Sequence, residues 1–165
     1  MIVISDSTPL ITLMKATQLE ILQKLFSEII IPEAVYLELT ANINYADEAD
    51  QINKSTYIKV VTVDDKRTVS VLQRATGLDL GESEAIIYAD INHADLLLVD
   101  EVAGRRVAMD MGINIMGSIG VLISAYKEGL INMNEAEEAL KKIRNANRHI
   151  SEKLLSDVLD IIREN

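Results

Sequence analysis

Short apolar runs constrain this chain more than any other feature. Ile2-Val3-Ile4, Ile29-Ile30-Ile31 and Leu96-Leu97-Leu98-Val99 are wholly apolar, and Ile113 to Met116 is interrupted only by Asn114. Each is too short for a helix and lacks the polar alternation of a strand with one wet face, so each must be covered on both sides. Each also ends on a residue that stops a strand: Ser5-Asp6, Pro32, Asp100 and Gly117. The intervening segments have helical spacing. The expected fold is therefore α/β, a three-layer α/β/α sandwich around a central, mostly parallel sheet, with helices at the C-terminal end.

The remaining elements follow from local signals. Pro9 suits the first turn of a helix carrying Leu10, Ile11, Leu13 and Met14, and a second helix is expected over 18–26. Helix is expected again from 33 to 41, with Val35 and Leu39 on one face, followed by a polar, exposed helix or loop over 44–54. Ile58 to Val63 reads as an edge strand, and the helix containing Val69 and Leu72 closes at Gly77. Helices are expected over 82–92, 101–111 and 119–128, the last two stopping at Gly112 and Gly129. After Asn134 only helical stripes remain: Ala136, Leu140 and Ile143, then Leu154, Val158, Leu159 and Ile162. The expected organisation is one compact unit over 1–131 and a helical extension over 132–165 that packs on it or on a partner.

Composition narrows the function. The 165 residues are 48% hydrophobic, enough for a substantial core, and contain no Cys, which excludes disulfides, thiolate metal sites and a Cys nucleophile. The absence of a basic leader and of any long apolar stretch points to a cytoplasmic protein with no membrane segment. Acidic residues number 26 against 16 Lys plus Arg, a formal charge of -10. Such a chain does not hold nucleic acid through a broad basic face. Two routes to a polyanion remain: a local basic patch, or divalent cations held by clustered carboxylates.

The positions of those carboxylates then matter. Asp6 follows the first strand and Asp100, with Glu101 beside it, follows the run ending at Val99, which is where ligands bind in open parallel sheets. Either acid could equally cap the next helix, although Ser5, Ser7 and Thr8 offer hydroxyls for that role near Asp6. Glu38 lies on the shoulder of the Val35 and Leu39 face, pointing inward or remaining solvated. Glu82 and Glu84 stand in the first turn of the next helix, where either complements the helix dipole or heads a buried stripe. Carboxylates gathered at one sheet end cannot all stay ionised without positive charge among them, and a hard cation such as Mg²⁺ or Mn²⁺ suits oxygen ligands. His93 and His149 are far apart in polar surroundings, so a zinc site or a Ser-His-Asp triad is not expected.

Five stretches in order, VISDSTPLITL at 3–13, IPEAVYLEL at 31–39, LDLGESEAIIYA at 78–89, LLLVDEVAGRRVA at 96–108 and INIMGSIGVLISAYKEGLI at 113–131, resemble the PIN-domain family, and more closely its VapC-like prokaryotic members. The resemblance implies a metal-dependent endoribonuclease that cuts single-stranded RNA with Mg²⁺ or Mn²⁺, the toxin of a toxin–antitoxin pair, with an antitoxin as partner and a homodimer as assembly. By position, Asp6, Glu38, Glu82 and Asp100 resemble the catalytic acids, with Asp6, Glu82 and Asp100 on the metal. Glu84 is the rival to Glu82. Glu101 and Ser118 are additional candidates, Ser118 also as a helix cap. Arg105 and Arg106, with Lys127 farther along, are the cations available to the RNA backbone, while Arg105 could instead pair with Glu101. The chain departs from the pattern in having Glu where small members place Asp before the helix, and Leu98 where many carry Thr or Ser. A non-catalytic binding module of the same fold is the main rival. A phosphoryl-acceptor domain would need a Lys at the end of a late strand, where Gly117 and Ser118 stand.

Overall fold

A computed structural model describes residues 1–146 and 151–164. Five strands form one parallel sheet in the order β3-β2-β1-β4-β5: β1 (Val3–Ser5), β2 (Ile29–Pro32), β3 (Ile58–Val61), β4 (Leu96–Leu98) and β5 (Ile115–Met116). Every pairing is parallel, with Ile4 opposite Ile30 on one side and Leu97 on the other. Helices α1 (Ser7–Lys15), α2 (Ile21–Phe26), α3 (Glu33–Thr40), α4 (Ala46–Lys54), α5 (Lys66–Thr76), α6 (Leu80–Ile91), α7 (Val102–Asp110), α8 (Ser118–Lys127), α9 (Met133–Asn145) and α10 (Glu152–Arg163) complete the described residues, with a single 3₁₀ turn at Ile43–Tyr45.

Alternation along the strands divides the core into two layers. Val3, Ile29, Ile31 and Leu98 pack with Leu10, Leu13, Leu22, Val121 and Leu122, whereas Ile4, Leu97 and Val99 face Ala85, Ile86, Ala89 and Ala108. The expected three-layer sandwich is the fold observed. The last helices join the first layer through Ala136, Ala139, Leu140, Ile143, Val158 and Ile162, and the Tyr126 hydroxyl donates to the Ile162 carbonyl at 2.8 Å.

Several local expectations shift. Thr17 adopts a left-handed φ of 57° and Gln18 returns its amide to the Leu13 carbonyl, so α1 ends in a tight turn and α2 begins only at Ile21. The polar 44–54 segment buries Ile52 and Glu48, with Glu48 paired to Lys15, and so is less exposed than its composition implies. The 113–116 run contributes only Ile115 and Met116 to the sheet. Leu154 is 43% exposed rather than part of the buried stripe. His93 sits exposed just beyond the C-terminal end of α6, and His149 lies outside the described residues. Among the described residues, no helix is long and apolar enough to cross a membrane.

Chain order places the functional region. From β1 the chain steps outward to β2 and β3, then returns to the other side of β1 for β4 and β5. The direction of winding reverses between β1 and β4, and a crevice opens outside the carboxyl ends of strands at such a point. Asp6 follows β1 and donates its amide to the Leu98 carbonyl at 3.0 Å, and Asp100 lies just past β4.

Candidate functional site

Asp6 occupies the N-cap position of α1 but makes no capping hydrogen bond with its side chain. It is 2% exposed, and its Oδ1 is buried without a hydrogen-bond partner. Burial pushes its carboxyl up to about 7; the Ser7 amide pulls the other way, and the charges of Glu38, Glu82 and Asp79 add to the rise. The capping explanation open at the level of sequence therefore does not describe Asp6.

Two Glu side chains from different helices add their charge to its surroundings. Glu38 of α3 is exposed over the residue as a whole, yet its carboxyl end rests against Gly81 at the start of α6. Burial of that end raises its pKa, with Asp79 and Glu84 adding and hydrogen bonds from the Ser7 side chain and Gly81 backbone opposing. Glu82 is buried in the first turn of α6 and forms a capping box with Asp79: Asp79 Oδ1 accepts from the Glu82 amide at 2.8 Å, and Glu82 Oε2 accepts from the Asp79 amide at 3.3 Å. Burial again raises Glu82, followed by the charge of Asp79. The second oxygen, Oε1, faces Gly104 of α7.

The other candidates separate. Glu84 is 2% exposed and already engaged: it accepts from Lys66 Nζ at 2.8 Å and from the Ala34 amide at 3.2 Å, on the side of α6 toward α5 and the start of α3. Asp100 caps α8 rather than its own helix, with Oδ1 accepting from the Ser118 amide at 2.7 Å. Gly117 holds the N-cap position there, so Ser118 is not the cap that its sequence position allowed. Glu101 is exposed at the N-cap of α7, makes no side-chain cap, and adds its charge to the surroundings of Glu82. Arg105 Nη1 donates to the Val99 carbonyl at 3.0 Å instead of pairing with Glu101, and Arg106 is exposed beside it. Lys127 ends α8. About 13 Å of helix axis separates it from Ser118, so it sits away from the carboxyl edge of the sheet.

A family model described as PIN domain matches residues 2–164. The chain belongs to the PIN-domain family. That family is one of nucleases that in general use divalent metal ions. No curated protein and no solved structure matches the chain.

The acids of this PIN domain suit a hard cation. A buried carboxylate oxygen with no partner, in a ring of like charges, is a group whose environment calls for positive charge. Among the described residues no three His, Cys, Asp or Glu side chains already converge as a ligand set. Mg²⁺ does not require one, since it keeps several waters and takes one or two carboxylates together with phosphate oxygens. Asp79 is the residue that sequence reasoning missed. It acts on Asp6, Glu38 and Glu82 together, and the signal available for it was the Asp79 to Glu82 spacing of a capping box.

Proposed function

We propose that this PIN domain is a metal-dependent endoribonuclease acting on single-stranded RNA. The observation that carries the reading is the Asp6 carboxylate, buried with its Oδ1 lacking a hydrogen-bond partner at the β1/β4 switch point, where the charges of Glu38, Glu82 and Asp79 act on it. Asp6, Glu82 and Asp100 are the residues that would hold Mg²⁺ or Mn²⁺. When bound, such an ion supplies a Lewis acid for the phosphoryl oxygens and makes water more acidic.

The chain's own groups divide the rest of the work. Asp6 and Glu82, fixed by strand β1 and by the capping box, give the site its negative charge and its orientation. Glu38 is the proton acceptor: burial and neighbouring carboxylates raise it, and it reaches the cluster from the open side. Asp100 ties the site to the start of α8. Arg106, exposed one position beyond the tethered Arg105, is the cation free to meet an RNA phosphate. The acidic surface left over suits a basic segment of an antitoxin, and our reading is of a cytoplasmic, homodimeric toxin of a toxin–antitoxin pair.

Incubation of the purified protein with labelled single-stranded RNA in Mg²⁺, Mn²⁺ or EDTA, beside Asp6→Asn, tests the central claim. Cleavage is expected with either ion and is expected to vanish with EDTA and in the variant. Cleavage that survives either change overturns the mechanism, and a folded protein that never cuts RNA but retains a protein partner would favour the binding-module alternative.

A further inference from the structure

Four glycines lack a positive φ; Gly120, where a Cβ would lie 2.8 Å from Met116 Cγ, is accounted for by packing on β5, and the other three need explaining. Gly77, Gly112 and Gly129 have positive φ and end their helices, as expected where other residues would be strained. Gly81, Gly104 and Gly117 do not share that reason: none has positive φ, and Gly81 and Gly104 lie within helices, where glycine costs stability relative to alanine. Space distinguishes them. A Cβ on Gly81 would run into Glu38 Oε1 and lie 2.9 Å from its Cδ. On Gly104 it would lie 2.8 Å from Glu82 Oε1, and on Gly117 2.8 Å from Asp100 Oδ1. Each glycine comes from an element other than that of the carboxylate it faces, and each of the three acids has one.

We infer that Gly81, Gly104 and Gly117 are positioning residues of the acidic site, each leaving the space in which one carboxylate, of Glu38, Glu82 or Asp100, is held. The inference rests on the reading of these acids as a cation site. The atom struck is in each case the end of a side chain, which can swing away, so the fold survives and the geometry of the site does not. A Cβ on Gly104 would also meet Val99 Cγ2 at 3.1 Å, and one on Gly117 would meet Arg105 Nη1 at 3.1 Å. At Gly81 the three nearest atoms all belong to Glu38, which makes it the position to test.

Calorimetric titration with Mn²⁺, run beside urea unfolding of the metal-free protein, reads the two effects apart. Gly81→Ala is expected to weaken Mn²⁺ binding by about 10- to 100-fold while leaving the urea midpoint unchanged or raised. In a Glu38→Ala background the same substitution is expected to change Mn²⁺ affinity no further, because the side chain through which it acts is gone. Wild-type affinity in Gly81→Ala, or an equal loss in both backgrounds, overturns the inference while the cation site stands. A wild-type protein that binds no Mn²⁺ overturns both. If Gly81→Ala lowers the urea midpoint, Gly117→Ala, at an extended N-cap position facing Asp100, decides the matter by the same two readouts.

Discussion

At Asp6 a carboxyl group is held in a dry, negatively charged place, and protonation is the available relief in the absence of a cation. Its ordinary value is 3.8 and its value in the fold is about 7, so the folded state binds the proton more tightly than the unfolded chain does. The stability gained is fully present below the unfolded value and lost as pH rises through the folded one. The metal-free protein is therefore expected to show a falling urea midpoint from about pH 4 to about pH 7 and a level one above, with Glu38 and Glu82 contributing in the same direction. Asp6→Asn should remove the part of the slope nearest neutrality, and a slope that persists there would assign it to another group. How much of this was legible is clear from the residue itself. The strand end placed Asp6 correctly, but cap and site could not be told apart, because the difference is whether one oxygen finds an amide. That depends on helices far along the chain. Asp79 is hidden for the same reason: its backbone role is local, while its charge acts on Asp6 beyond β1 and on Glu38 of α3.

Helix α6 shows why two acids two residues apart do different things. Residues so spaced lie about 200° apart around the axis, so Glu82 turns toward α7 and Glu84 toward α5 and the start of α3. The sequence left both open because α6 is buried nearly all round, from Gly81 through Ile87, and has no wet face to orient it. Glu84→Gln is expected to cost about 1–3 kcal/mol in urea unfolding, because it weakens a charged acceptor whose partners are Lys66 and the Ala34 amide, and to leave Mn²⁺ affinity intact. Glu82→Gln should do the reverse in calorimetry, lowering Mn²⁺ affinity by about tenfold or more. A loss of affinity in the Glu84 variant instead would exchange their roles. Asp100 makes a separate prediction for α8: Asp100→Ala should lose about 1 kcal/mol of cap stability, and Asp100→Asn, which keeps an acceptor, should retain most of it while still weakening the cation site. The helices most visible in the sequence are those with sharp stops, such as α5 at Gly77 and α7 at Gly112, whereas α2 ends as expected at Phe26 but starts late, because nothing local announces a turn at Thr17.

Over the whole molecule the apolar runs specified the layers and the order of strands fixed where they converge. The C-terminal helices could be seen as helices but not as part of the core, since an apolar stripe looks the same whether it covers its own sheet or a partner. Here Leu140 and Ile143 are fully buried with Leu10 and Leu122 in one layer. A chain ending at residue 131 is expected to lose cooperative urea unfolding, and a truncated protein that unfolds in a single sharp transition would make 132–165 a dispensable extension. The central place of β1 also has a meaning in time. β1 is synthesised first, yet one of its two neighbours, β4, leaves the ribosome only after β2, β3 and α6 have been made, and the Asp6 amide waits for the Leu98 carbonyl. A nascent chain halted before β4 lacks the Leu98 carbonyl that receives the Asp6 amide, and with it Asp100, Gly104 and Gly117. The acidic site is thus withheld from every unfinished copy, and arises only with the one that completes the sheet.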